Sequence, residues 1–396
     1  MDDPRAYNQA RILSFGLVVM TLTHTMTHSF QNIHTALFPV LREEFMLTNQ
    51  QMGVIASIPS LCQALLTIPA GLLSDKVGSK KMLLLAMGVA CVGALMASVT
   101  NSPTMLIVAV SLLYINTTVY HPASYSFVSR SFKPRERTKA LGVQGAGGTL
   151  GMAIGPISLA VLIYLGFQWR QVYLFWFFPL LLGIAMILRI REEPTEDVVL
   201  SDSERTEQEP ASSLLSASLV FFMVFSGARM IASGMTNSFL NVYLVETQGW
   251  EFGYASLILG GSFVMGIVAA PIGGFLAARY GDKRWTLSVL AASYACYILA
   301  FLVGGVLPFT LLYLGHGFFN FLGMASNSSI MARLSPGRQR GLGFALYFLP
   351  GSIMGAVAPM IAAFIADNLG MYTIFMVSFA SYLVAVLVLM FGVKVD

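Results

Sequence analysis

The sequence predicts an all-α integral membrane protein of twelve transmembrane helices in two six-helix pseudo-repeat halves. Composition is the first observation behind this: 56% of the 396 residues are hydrophobic and only 11% charged, against about 25% charged in an ordinary soluble domain. The second is the length of the apolar runs. They are continuous and suit helices crossing a core of about 30 Å, which takes roughly 20 residues, whereas barrel strands would be about ten residues with period two. The third is a polar interruption at 189–213 that carries Glu192, Glu193, Glu196, Asp197, Asp202, Glu204, Glu207 and Glu209, the composition of a solvated linker.

In chain order the first six spans are expected at 12–38, 50–73, 82–100, 103–129, 139–165 and 169–189, and the second six at 214–244, 252–278, 285–304, 307–332, 341–366 and 370–392. The halves are therefore 1–190 and 214–396, joined by a cytoplasmic acidic linker at 191–213. They share a pattern at an offset of 203: Gly71 with Gly274, Gly78 with Gly281, Arg130 with Arg333, Gly148 with Gly351, and Pro156 with Pro359. Each pair falls at the same helix end, loop or helix-breaking position of its half. Repeated six-helix halves with a midplane site between them are a transporter architecture.

Charge sets the orientation. Twenty of the 23 Lys and Arg fall at one end of the spans and only Arg42 and Arg170 at the other, leaving Arg229 mid-span. The positive-inside rule then places both termini in the cytoplasm, and the expected location is the cell (inner) membrane. The net charge of +4 reports this topology and implies no nucleic-acid partner. The first apolar segment is too long for a cleavable signal and leads directly into further spans. Cys62, Cys91 and Cys296 are widely separated within spans and read as packing thiols.

Between spans two and three the chain reads Gly71-Leu-Leu-Ser-Asp75-Lys-Val-Gly78-Ser-Lys80-Lys81. Gly71 is expected to permit close helix approach and Gly78 a tight reversal, with Asp75 serving a conformational gate by accepting from a neighbouring helix N-terminus or by pairing with Arg130 or Arg137. The second half has Ala278 where the acid would stand, which implies a latch stronger in the first half. This loop resembles the signature of the major facilitator superfamily. Span five, Gly145-Ala-Gly147-Gly148-Thr-Leu-Gly151-Met-Ala-Ile-Gly155-Pro156, resembles the glycine-rich helix of its antiporter members. Gly151, Gly155 and Pro156 join the expected gate through close packing and a bend, and Gly351, Gly355 and Pro359 are expected to repeat the device. Thr23-His24-Thr-Met-Thr27-His28-Ser-Phe-Gln31 and Tyr120-His121-Pro122-Ala123-Ser124 resemble the fosmidomycin-resistance branch, though an acid is expected there where His28 and Ala123 stand. The resemblance implies a proton-driven exporter of small, often anionic compounds.

All five histidines and Arg229 lie in spans that hold no Asp or Glu. Ionisable groups at that depth mark the path of a substrate or proton. In the superfamily, spans one, four, seven and ten line the central cavity. His24, His28 and Gln31 share one helical face, which Thr35 extends, and His34 turns away. Thr117, His121 and Ser124 form a similar stripe on span four; the structural alternative for His121 is to fill the hydrogen-bond gap left by Pro122. Span seven offers Arg229, Ser233 and Thr236, and span ten His316 and Asn320.

The expected substrate-binding set is Arg229, His24, His28, Gln31, His121, His316 and Asn320, with His28, His121 and His24 also carrying protons. Arginine offers a fork suited to carboxylate or phosphonate, and a cavity without carboxylates suits no cation. The expected function is export of a small organic anion or amphiphilic acid by a monomeric secondary transporter, coupled to protons. Symport or uniport uptake, and a transport-inactive sensor, are the alternatives. No catalytic residue, cofactor or metal is expected, because His24 and His28 lack an acid or cysteine partner on their own helix and no nucleophile–base arrangement is legible.

Overall fold

The computed structural model describes residues 14–132, 134–190, 216–334 and 340–395. Among these every regular element is helical. The first half comprises α1 (Phe15–Ser29), α2 (Ile33–Ala36), α3 (Phe38–Phe45), α4 (Asn49–Val77), α5 (Ser79–Ser98), α6 (Pro103–Ser131), α7 (Pro134–Tyr164) and α8 (Trp169–Leu188). The second comprises α9 (Ala217–Val242), a π-helical turn at Tyr243–Thr247, α10 (Phe252–Tyr280), α11 (Asp282–Leu302), α12 (Val306–Leu322), α13 (Met324–Leu334), α14 (Arg340–Leu369) and α15 (Met371–Gly392). The linker at 191–213 lies outside the described residues.

Local chemistry starts these helices. Ser14, Ser102 and Ser216 accept from Leu17, Met105 and Leu219 backbone amides, and Thr48 with Gln51 closes a reciprocal capping box. Gly78 and Gly281 hold φ of 90° and 87°, which lets α4 turn directly into α5 and α10 into α11. Large apolar side chains such as Leu65, Phe275 and Phe391 lie on the outside, about 70% exposed. That is a surface for lipid, and the chain is a multi-pass membrane protein.

Two spans predicted as continuous are broken. The first stops at Ser29 and restarts at Ile33, so Thr35 does not extend the His24–His28 face and instead donates to the Asn32 carbonyl. The tenth breaks at Gly323 between α12 and α13. Gly71 has nothing within reach of a Cβ, so the close approach expected there is not made. Asp75 lies in α4, but its side chain and that of Arg137 are outside the described residues.

The 203-residue offset reappears as contacts. Arg130 donates to the Ser79 hydroxyl at 2.5 Å, and its counterpart Arg333 pairs with Asp282 at 3.1 Å, an acid standing where the first half has Ser79. Ser329 also donates to Asp282. Asp282 thus supplies the second half with an acid that Ala278 lacks. Lys80 donates to the Leu188 and Ile190 carbonyls, and Lys283 to those of Met390 and Val393. Each lysine satisfies the open carbonyls ending the last helix of its half.

The halves meet along α4 against α14 and α7 against α10. A Cβ on Gly53 would press on Ala363, and one on Gly260 on Ile157. At the same end of the bundle, Arg42 on α3 pairs with Glu246 at 2.5 Å and also donates to Asn49. Asp367 on α14 accepts from Asn49 and Gln50 of the first half. Deeper, Asn241 on α9 donates to the Ala36 carbonyl at 3.0 Å and to Ser256 at 2.9 Å. This end, carrying the loops at 46–48, 165–168 and 248–251, is sealed by polar contacts between halves. Beside it Glu44 accepts from Arg170 and from the Trp169 indole. The hydrogen bond from Arg170 holds the Glu44 carboxyl below its ordinary range, more than burial raises it.

Candidate functional site

Three helices of the first half bring the candidate residues together. Along α1, His24 and His28 are one turn apart and face the same way. From α6, His121 reaches between them: its Nε2 lies 3.1 Å from His24 Nε2 and 3.2 Å from His28 Nε2. The opposite ring nitrogens are each held by an oxygen. His24 Nδ1 meets the Gln144 backbone carbonyl at 2.6 Å, His28 Nδ1 meets Gln31 Oε1 at 2.7 Å, and His121 Nδ1 meets the Thr117 carbonyl at 2.8 Å. The last acceptor is one residue before the carbonyl that Pro122 deprives of an amide, so the alternative role of filling the proline gap is not the one His121 takes.

The glycine-rich α7 makes this grouping possible. A Cβ on Gly147 would stand 2.5 Å from the Thr21 carbonyl oxygen, and one on Gly148 2.7 Å from the His24 ring. Added at Gly151 or Gly155, it would run into the carbonyls of Thr25 and Ser29. Small residues thus let α1 and α7 touch backbone to backbone, and α7 continues through Pro156. The second half does not repeat the device. Gly355 has no neighbour within 4 Å and Gly351 meets only Met230.

Two tyrosines that the sequence reading did not single out as functional complete the wall. Tyr120 stacks on His24 with its hydroxyl 2.7 Å from Thr23, and Tyr125 stacks on His121. Tyr125 lies four residues after His121, so the helical repeat offered a signal for it. Gln144 uses its side chain to donate to Ser124 at 2.8 Å.

The second half presents Arg229 on α9, half-buried, donating from Nη2 to Asn320 Oδ1 on α12 at 2.8 Å. Its guanidinium lies 5.4 Å from the Phe225 ring centre. The structure does not bring His316 into the histidine group. That ring is bonded to Ser293 of α11 through Nδ1 at 2.9 Å and is surrounded by Tyr294, Tyr297, Tyr313 and Tyr382. His34, beyond the break after α1, is buried against Phe38 and Tyr114, away from the other histidines.

The family model described as Major Facilitator Superfamily matches residues 17–254 and 226–396. The chain belongs to the Major Facilitator Superfamily. It is 25% identical over 312 residues to the fosmidomycin resistance protein of Escherichia coli (strain K12), covering 76% of this chain and 71% of that one. It is 23% identical over 359 residues to the hexuronate transporter of Bacillus subtilis (strain 168), covering 85% and 83%. A crystal structure of a bacterial homolog to the human lysosomal transporter Spinster, inward-facing and occupied, superposes with a TM-score of 0.80 at 15% identity, over 99% of this chain and 97% of that one. The chain is a superfamily membrane transporter of a small-molecule substrate and not an enzyme.

Proposed function

We propose that the protein carries a small organic anion or amphiphilic acid by alternating access and exports it in exchange for protons, working as a monomer in the cell (inner) membrane with its termini in the cytoplasm. Arg229 carries this proposal. It is a cation near the middle of its span, held on the helix pair α9–α12 by its bond to Asn320. A guanidinium kept at that depth has a use when an anion arrives to pair with it.

Sealing by Arg42–Glu246 and Asp367 at the end poor in basic residues supports an inward-facing state, as in the Spinster homolog. Relatives named for fosmidomycin resistance and hexuronate transport support an acidic cargo and leave direction to experiment.

The test is counterflow in proteoliposomes, after a thermal-shift screen of organic acids has supplied a ligand. Losing a hydrogen bond from a charged donor costs about 1.5–3 kcal/mol, so Arg229→Ala is expected to weaken apparent affinity ~10–100-fold, with Arg229→Lys intermediate. Unchanged transport by Arg229→Ala overturns the anion reading. An imposed pH gradient of either sign separates proton exchange from symport and uniport.

A further inference from the structure

Each Nδ1 in the histidine group faces an oxygen that can only accept: Gln144 O, Gln31 Oε1 and Thr117 O. The ring protons of all three neutral imidazoles therefore sit on Nδ1, which leaves three Nε2 lone pairs. Those atoms lie 3.1 and 3.2 Å from the central His121 Nε2, and all fall within 4.8 Å of one another. Lone pairs aimed together at such distances repel one another unless an electrophile sits among them. A single proton serves two nitrogens and leaves the third unaddressed.

We infer that His24, His28 and His121 form a binding site for one divalent transition-metal ion of the zinc, cobalt or nickel kind. Tetrahedral coordination at ~2.0–2.1 Å sets neighbouring ligand nitrogens about 3.3 Å apart; His121 meets that spacing with both partners, while His24 and His28, up to 4.8 Å apart, draw towards each other when the ion binds. Three neutral imidazoles are donors for these ions, while Mg²⁺ and Ca²⁺ prefer oxygen. The three oxygens behind the rings do what outer partners do at metal centres, fixing tautomer and ring direction. Spacing along α1 could reveal only two ligands; the third comes from α6, which is why no metal was expected from the sequence.

Three protein ligands leave a fourth position for a water or an anion from the cavity. An anion there offsets the charge of the ion in apolar surroundings. The site stands apart from the organic-anion proposal, since metal binding is measured with no organic acid present.

Full-length protein purified without a polyhistidine tag and stripped with a chelator is titrated with Co²⁺ and then Zn²⁺. One ion per chain is expected, Co²⁺ giving the visible bands of a tetrahedral site and yielding to Zn²⁺, with X-ray absorption counting three imidazoles. His121→Ala should lose stoichiometric binding, Gln31→Leu should weaken it ~10–100-fold, and His34→Gln should leave it unchanged. Wild-type protein that binds no stoichiometric ion, a count below three imidazoles, or undiminished binding by folded His121→Ala overturns the site. Should His121→Ala not fold, the wild-type stoichiometry and imidazole count decide.

Discussion

Adding one methyl group to α7 at Gly148 should damage the site, while the same change three residues earlier should not. At Gly148 the new Cβ would stand 2.7 Å from His24 Cε1 and 2.9 Å from its Nε2. Carbon atoms rest about 3.5 Å apart or more, so the ring must retreat by ~0.8 Å. That would stretch the 2.6 Å bond to Gln144 to the edge of hydrogen bonding or push the ring into His121. Overpacking of this kind costs about 1–3 kcal/mol, offset by the ~0.5–1 kcal/mol that alanine gains over glycine within a helix.

Gly145, on the same helix, has no neighbour within 4 Å, so Gly145→Ala keeps the gain without the clash. The helix term cancels between the two variants, and their difference of about 1–3 kcal/mol isolates packing at His24. Unfolding in detergent measures it, and transport by each variant reports the consequence. Equal stability of the two variants would refute the close packing of α7 on the His24 ring.

Two further outcomes concern the sealed end. The Arg42–Glu246 pair is partly exposed and joins the halves, so Glu246→Gln should cost at most about 1 kcal/mol. That loss shifts the equilibrium up to ~5-fold towards opening there; labelling of Ala363→Cys, which packs on Gly53, should rise accordingly. Glu44, held below its ordinary range by Arg170, contributes stability above the unfolded carboxyl value of about 4.3. The contribution is lost as pH falls through the lower folded value. Wild-type protein should lose more stability than Glu44→Gln on acidification from about pH 5 to about pH 3, and parallel pH profiles would count against the contact.

Sequence alone determined the membrane class, the helical character of the spans and the kinship of the halves, because each follows from properties local in the chain; it did not show the breaks after Ser29 and at Gly323. Continuous apolar runs admit only helices in lipid, Gly78 and Gly281 announce their own reversals, and the glycines of 145–155 announce a close neighbour without naming it. Tertiary structure decided who meets whom. It chose α1 as that neighbour, drew Asp282 to Arg333, turned His316 towards Ser293, and set His121 between His24 and His28. These are encounters between residues far apart in sequence, fixed by the packing of whole helices. No spacing within one helix encodes the distance from its face to a side chain on another.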